Sequence, residues 1–393
     1  MEREHIKILT KRIEEPRRFI QVVIGPRQVG KTTLVSQMLK KLEIPWLFES
    51  ADSVSAVNEV WIRLIWDRAR LMMQQLNSNE FLIVIDEIQK INNWSEVVKH
   101  LWDIDSFNTA GIKVILLGSS RLLMSKGLTE SLAGRFETMY MGHWSLTEME
   151  HAFGWNANQY AWFGGYPGAA GLIEDEDRWK NYVRNSLIET SVSKDILMLS
   201  RVDKPVLMKR LFELGCHYSG QTLSMTKILG QLQDAGNTTT LSHYLDLLDT
   251  AGLLAGINKY SANIVRKRSS IPKFQVHNNA LLSAQRNETF KEITESPGEW
   301  GRIVESAVGS HLINNSIDSN YSVFYWRERN EEVDFIIERR GKLVAVEVKS
   351  NFSQNMRGLE SFKSRFNPDK LYLISNSGLS WQEFLKINPA ELF

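Results

Sequence analysis

The 393-residue sequence predicts an α/β protein, with a parallel sheet in its first third, a helical middle and a small α/β carboxyl-terminal end. Three observations predict it. The apolar runs 19–24, 81–85 and 114–117 are short and almost unbroken, as in strands buried on both faces of a parallel sheet. Helix-like stretches at 34–39 and 94–102 alternate with these runs, as crossover connections between parallel strands require. From near residue 145 the pattern turns helical and aromatic-rich, and from Tyr321 it returns to strands.

The run 19–24 leads into Gly25-Pro26-Arg27-Gln28-Val29-Gly30-Lys31-Thr32, a complete GxxxxGKT pattern, and a helix-like stretch follows. In that context the glycines let successive backbone N–H groups curl around the α- and β-phosphates of a nucleoside triphosphate. The phosphate-binding stretch then runs from Gly25 through Thr33, with Lys31 on the β- and γ-phosphates and the Thr32 hydroxyl on Mg²⁺. A plain glycine turn beside a surface lysine is the bland alternative, and the matching acidic strand argues against it.

That acidic strand is the run 81–85, which ends in Asp86-Glu87 at the edge where a parallel sheet meets its ligand. Asp86 is expected to hold Mg²⁺ through its water shell. Glu87, pointing the other way along the pleat, is expected to take the proton of the water that attacks the γ-phosphate. The run 114–117 ends in Gly118-Ser119-Ser120-Arg121. Ser119 or Ser120 is placed to sense the γ-phosphate, and Arg121 or Arg135, with Arg135 ahead, to bring charge to the transition state.

Together these three strand ends resemble the AAA-type branch of P-loop ATPases, with the extra strand between P-loop and acidic strand end supplied by residues 46–50. The wording GPRQVGKTT at 25–33, IDEIQ at 85–89, GSSRLLMSKGLTESLAGR at 118–135 and GGYPGA at 164–169 is similar to a family of prokaryotic AAA-type ATPases. Its members carry a carboxyl-terminal domain of unknown function (DUF4143-like), and the shared motifs cover roughly the first 170 residues. The resemblance implies ATP rather than GTP, to which the chain itself adds only the lack of an NKxD guanine-reading motif. At 277–279 it has His277-Asn278-Asn279, where the family commonly has an aspartate followed by a glycine.

Composition bounds the rest. At ~100–200 residues per domain the length suggests two to four domains. Lys and Arg number 47 against 46 Asp and Glu, so no global field draws the chain to nucleic acid or membrane, and any nucleic-acid contact must be local. No apolar stretch approaches the ~20 residues that cross a bilayer, and the single cysteine, Cys216, forms no internal disulfide. A cytoplasmic protein without a membrane partner is expected. Whether it forms a homo-oligomer is left open.

Four segments follow from the changes in pattern: 1–145 as the AAA-type domain, 146–204 as a helical linker or lid, 205–276, and 277–393. In the second, Gly164-Gly165-Tyr166-Pro167-Gly168 is either a corner between helices, the preferred reading, or a place where backbone meets nucleotide or a neighbouring subunit. The third reads as helices at 206–217, 225–232 and 238–250 and then a strand, which suggests a winged helix with Thr238, Thr239, Thr240, Ser242 and His243 near the start of its third helix. Arg266-Lys267-Arg268 forms a basic tip between two strands. Such a module meets DNA, or it serves as a packing or dimerisation element.

The last segment holds strands at 321–326, 332–337 and 343–349, with Asp334 on the second and Glu347 and Lys349 on one face of the third. Glu305 falls in a helical pattern upstream. This order resembles the PD-(D/E)xK nuclease superfamily, with Asp334, Glu347 and Glu305 as metal ligands and Lys349 orienting the attacking water. A cross-strand salt bridge on a solvated face is the alternative for the ExK tripeptide. Two functions therefore stand: an ATP-driven DNA-processing enzyme, or a nucleotide-gated switch that binds a protein or DNA partner without cleaving it.

Overall fold

The computed structural model describes residues 1–119, 128, 131–196, 202–232, 237–262, 271–349, 356–375 and 378–393, so Ser120, Arg121 and the run Arg266-Lys267-Arg268 lie outside the described residues. The chain forms two compact units, Met1–Gly142 and His143–Phe393.

The first unit is built on a five-stranded sheet of β1 (Ile20–Ile24), β2 (Trp46–Ser50), β3 (Phe81–Asp86), β4 (Ile112–Gly118) and β5 (Phe136–Tyr140). The spatial order is β2-β3-β4-β1-β5, and every pairing is parallel. The strand between β1 and β3 is thus β4, while the 46–50 run forms the edge. Every residue of β1, β3 and β4 is buried, as their unbroken aliphatic runs require. On one face, Ile6, Leu9 and Ile13 of the helix His5–Glu14 and Leu34, Val35 and Met38 of the helix Lys31–Leu39 pack on Val23, Val84 and Leu117. The helix Val60–Gln75 packs on β3 and on the helix Trp94–Phe107, where the Trp66 indole N–H donates to Asp105 at 2.9 Å. In parallel strands the carboxyl ends of β1, β3 and β4 lie on one edge, and that edge carries the site.

The second unit opens with the helices Leu146–Phe153 and Ala157–Phe163, each begun by a capping box, at Ser145/Glu148 and Asn156/Gln159. The aromatic-rich stretch forms a core here. Phe163 lies 6.0 Å from Trp155, 4.9 Å from Trp179 and 5.4 Å from Phe290, ring centre to ring centre. The helices Pro205–His217, Met225–Leu232 and Thr238–Thr250 follow, the last capped by the Asn237 side chain. Then come β6 (Leu254–Lys259) and β7 (Lys273–Val276), an antiparallel pair.

That pair belongs to a six-stranded mixed sheet completed by β8 (Ser322–Glu328), β9 (Glu331–Arg339), β10 (Lys342–Val348) and β11 (Lys370–Ile374), in the order β11-β10-β9-β8-β6-β7. The helix Pro297–Ser319 packs on β7 and β8, and a Cβ on its Gly309 would meet Gln275 Oε1 at 2.1 Å. The helix Arg357–Phe366 packs on β9, placing Phe362 and Phe366 among Tyr260 and Trp326. Among the described residues no helix is long and apolar enough to cross a membrane.

Candidate functional site

At the end of β1 the chain turns through a loop that backbone geometry shapes. A Cβ on Gly25 would stand 2.1 Å from the Met141 carbonyl oxygen, so only glycine fits. Gln28 at φ +62° and Gly30 at φ +91° reverse the chain, and the helix Lys31–Leu39 begins directly afterwards. Its first N–H groups are therefore turned into the concavity of the loop. Lys31 is buried, and its ammonium donates to the Gly25 and Pro26 carbonyls at 2.9 and 2.8 Å.

The neighbouring strand ends supply the rest. Thr32 Oγ1 donates to Asp86 Oδ2 at 2.7 Å, and the other carboxylate oxygen accepts from the Glu87 N–H at 2.9 Å. Burial pushes the Asp86 carboxyl above its ordinary range, with the Thr32 hydrogen bond pulling against it. β3 ends at Asp86, so it is not the pleat that aims Glu87 but a left-handed backbone at φ +53°. Glu87 Oε2 accepts from Ser119 Oγ at 2.9 Å and from Gln89 Nε2 at 2.5 Å. A cavity of ≈ 270 Å³ joins these groups, lined by Arg27, Gln28, Gly30, Lys31, Thr32, Thr33, Glu87 and Ser119. Of the expected cradle, Val29 turns its side chain into the core, and Pro26 is buried, its carbonyl accepting from Lys31.

These residues fit a magnesium-bound nucleotide. An ammonium and backbone N–H groups face the phosphate position, and a hydroxyl already touches the carboxylate that would share the ion. Two contributors were not anticipated. Gln89 lies within the quoted IDEIQ stretch, so its sequence signal was present but unread. Arg3 is buried and donates to the Val29 carbonyl at 3.3 Å and to that of Gly142 at 3.1 Å, bracing the loop from a distant part of the chain.

Arg135 requires a correction. It precedes β5, and its carbonyl accepts from Ile20 N–H at the amino end of β1, whereas the loop leaves the carboxyl end. Five residues of strand at about 3.3 Å each separate those ends. Its guanidinium clasps both oxygens of Asp103, at 2.7 and 3.0 Å. It therefore does not reach the phosphate cradle of its own chain.

In the second unit, Gly164-Gly165 is a corner. Gly164 sits at φ +70°, and Gly165 N–H donates to Asn278 Oδ1 at 3.0 Å. Asn278 Nδ2 meets His143 Nδ1 at 3.1 Å, and Asn279 Nδ2 donates to the Ala161 and Ile303 carbonyls at 2.8 and 3.0 Å. His277, at 2.7 Å from the half-exposed Asp249, completes a polar seam formed by residues 277–279.

The carboxyl-terminal set also comes together, with one addition. Glu305 lies in the helix Pro297–Ser319, Asp334 on β9, and Glu347 on β10 with Lys349 just after it. Lys349 Nζ is 2.5 Å from Glu347 Oε1, and Asp334 Oδ2 accepts from Val348 N–H at 2.8 Å. Lys273 of β7, fully buried, points its ammonium among them, 2.7 Å from Glu305 and 3.5 Å from Asp334. No group of three His, Cys, Asp or Glu side chains among the described residues is arranged to hold a metal ion. As they stand, these residues do not fit a divalent ion.

The parallel sheet, the glycine-rich cradle and the Thr32–Asp86 contact define the first unit as an AAA-type P-loop ATPase fold. Three family models match the chain: an AAA domain over residues 17–150, a domain of unknown function (DUF8612) over 155–292, and a domain of unknown function (DUF4143) over 300–387. An uncharacterized protein of Mycobacterium tuberculosis is 27% identical over 346 residues, 86% of this chain and 73% of the relative. One of Methanocaldococcus jannaschii is 23% identical over 376 residues, 90% of this chain and 80% of the relative. Among solved structures, the Walker-type ATPase of Pyrococcus abyssi aligns with a TM-score of 0.45 at 12% identity, covering 72% of this chain and 95% of that one. The ORC1 protein of Aeropyrum pernix in complex with DNA aligns with a TM-score of 0.33 at 14% identity, covering 73% and 92%.

Proposed function

We propose that the protein binds ATP with Mg²⁺ at residues 25–33, Asp86 and Ser119 and hydrolyses it. The observation that carries this reading is the 2.7 Å contact of Thr32 with Asp86, which ties the strand-end carboxylate to a hydroxyl that lines one cavity with Lys31, Glu87 and Ser119. Lys31 exchanges its loop carbonyls for phosphate oxygens and balances their charge. Thr32 and Asp86 would hold the ion, which when bound would neutralise charge gathering on the phosphate oxygens. Glu87 serves as the base for the attacking water once its carboxylate leaves Ser119, and Ser119 is then free to donate toward the γ-phosphate.

For the second unit the reading is a winged helix formed by the helices from Pro205 to Thr250 with β6 and β7, acting on DNA or on a protein partner. Exposure of Thr238, Thr239, Ser242 and His243 at the start of the third helix supports it. Lys273 among the carboxylates favours the switch over the nuclease: nucleotide turnover governs binding, and the carboxyl-terminal end contacts its partner without cutting. The test measures nucleotide affinity, ATP turnover, salt-dependent DNA binding and plasmid nicking in the wild type and in Lys31→Ala. Lost ATP binding in the variant, with no nicking by either, is the expected result; unchanged affinity refutes the cradle, and Mg²⁺-dependent nicking by the wild type refutes the switch.

A further inference from the structure

The carboxylates of Glu305, Asp334 and Glu347 converge from a helix and two strands, and such a cluster is stable only if cations answer it. In this chain the answer comes from within. Lys273 has no exposed surface, and its ammonium sits 2.7 Å from Glu305 Oε1, 3.2 Å from the Asp334 carbonyl, 3.5 Å from Asp334 Oδ1 and 4.7 Å from the centre of the Phe335 ring. Two carboxylates, a carbonyl oxygen and an aromatic face around one positive charge are the surroundings of a bound cation. Lys349 answers Glu347 separately, and the buried Glu347 Oε2 has no hydrogen-bond partner among the described residues.

We propose that Lys273 is a built-in cation standing in place of a divalent metal, so that the cluster of Glu305, Asp334 and Glu347 takes up no metal in the folded chain, and that removing this one ammonium converts it into a Mn²⁺ or Mg²⁺ site. Two features of the geometry support this. The oxygens that face Lys273 are hard carboxylate and carbonyl oxygens, the ligands such ions prefer. The ammonium also comes from β7, whose backbone is paired to β6, so a metal cannot evict it by a simple side-chain swing without leaving a positive charge buried beside a doubly charged ion. With one carboxylate at 2.7 Å and a second at 3.5 Å, the ammonium lies where the charged form is answered on two sides. The inference rests on the second unit alone and is independent of the ATP reading.

The test is Mn²⁺ binding to the full chain without nucleotide, followed by the electron paramagnetic resonance signal of free Mn²⁺, in the wild type, Lys273→Met, Lys273→Met/Asp334→Asn and Asp334→Asn. Lys273→Met keeps an unbranched side chain, one atom short of the ammonium position, while deleting the charge. It is expected to gain one Mn²⁺ per chain, bound at least ten-fold tighter than any Mn²⁺ on the wild type and lost again in the double variant. A folded Lys273→Met chain with no gain overturns the proposal. Should that variant fail to fold, the wild-type arm decides: Mn²⁺ uptake abolished by Asp334→Asn overturns it, and uptake indifferent to Asp334→Asn upholds it. Asp86→Asn, which alters only the first unit, separates any weak ion at the phosphate cradle from the carboxyl-terminal cluster.

Discussion

Glu87 Oε2 is shared by the Ser119 hydroxyl and the Gln89 amide, so the carboxylate proposed to activate water is held by neutral donors that a γ-phosphate could draw away. Its own loss should appear in turnover and not in binding. Glu87→Gln keeps the shape and removes the base; kcat is expected to fall about 10²–10⁴-fold with nucleotide affinity unchanged, as read by single-turnover hydrolysis beside equilibrium titration. His311 gives a pH signature. It is buried in the helix Pro297–Ser319, its Nε2 lies 2.9 Å from the Ile387 carbonyl, and burial lowers its pKa from 6.5 to about 4. The unfolded chain therefore binds this proton first as pH falls. The contribution of neutral His311 is fully present above pH 6.5 and is lost as pH falls toward about 4, at no more than ~1.4 kcal/mol per pH unit. Denaturation midpoints across that window should flatten in His311→Gln, and an unchanged slope would refute the assignment.

At the scale of elements, the glycine corner and the Asn278-Asn279 turn lock together, and the corner tolerates no added atom. Gly164 has φ +70° and ψ −164°, a region essentially confined to glycine, and a Cβ there would meet Asn278 Oδ1 at 1.9 Å and Ala280 N at 2.6 Å. Gly164→Ala is expected to destabilise by about 2 kcal/mol or more, whereas Gly171→Ala, where a Cβ meets nothing within 4 Å among the described residues, should be nearly neutral. Denaturant midpoints at unchanged slope decide it. The same pair of segments shows what the chain discloses locally. GGYPGA and HNNA were visible as unusual strings, but their mutual contact spans more than a hundred residues and has no periodicity. Strands β1, β3 and β4 were legible because unbroken aliphatic runs admit few other structures, and the Gly25–Thr33 loop because its spacing has a mechanism. That β4 and not β2 lies between β1 and β3 was not legible, since strand order is set by tertiary packing. Arg135 misled for a related reason: proximity to a motif in sequence says nothing about which end of a five-residue strand a side chain occupies. Lys273 escaped notice because its partners lie 32 and 61 residues onward, while within KFQV it resembles any strand lysine.

For the molecule as a whole, turnover in Met1–Gly142 matters to His143–Phe393 only if nucleotide state changes something there, and a ligand shifts an equilibrium only by its differential affinity for the two states. With a formal net charge of +1, no long-range field can carry that signal to a nucleic acid, so it must arrive through local structure. Hydrogen exchange on the full Glu87→Gln chain, with and without magnesium and ATP at about 100 times Kd, separates the possibilities. Binding alone contributes about 2.7 kcal/mol to the native state at that concentration, enough to slow exchange through global and sub-global opening. Direct contacts should add protection at residues 25–33, 86–89 and 118–119. On the switch reading, exchange also changes in the helix Thr238–Thr250 and in β6 and β7, and Lys31→Ala erases both effects. Protection confined to Met1–Gly142 would leave an ATPase whose second unit does not read its nucleotide, and the proposal of a nucleotide-gated switch would fall while that of ATP hydrolysis stood.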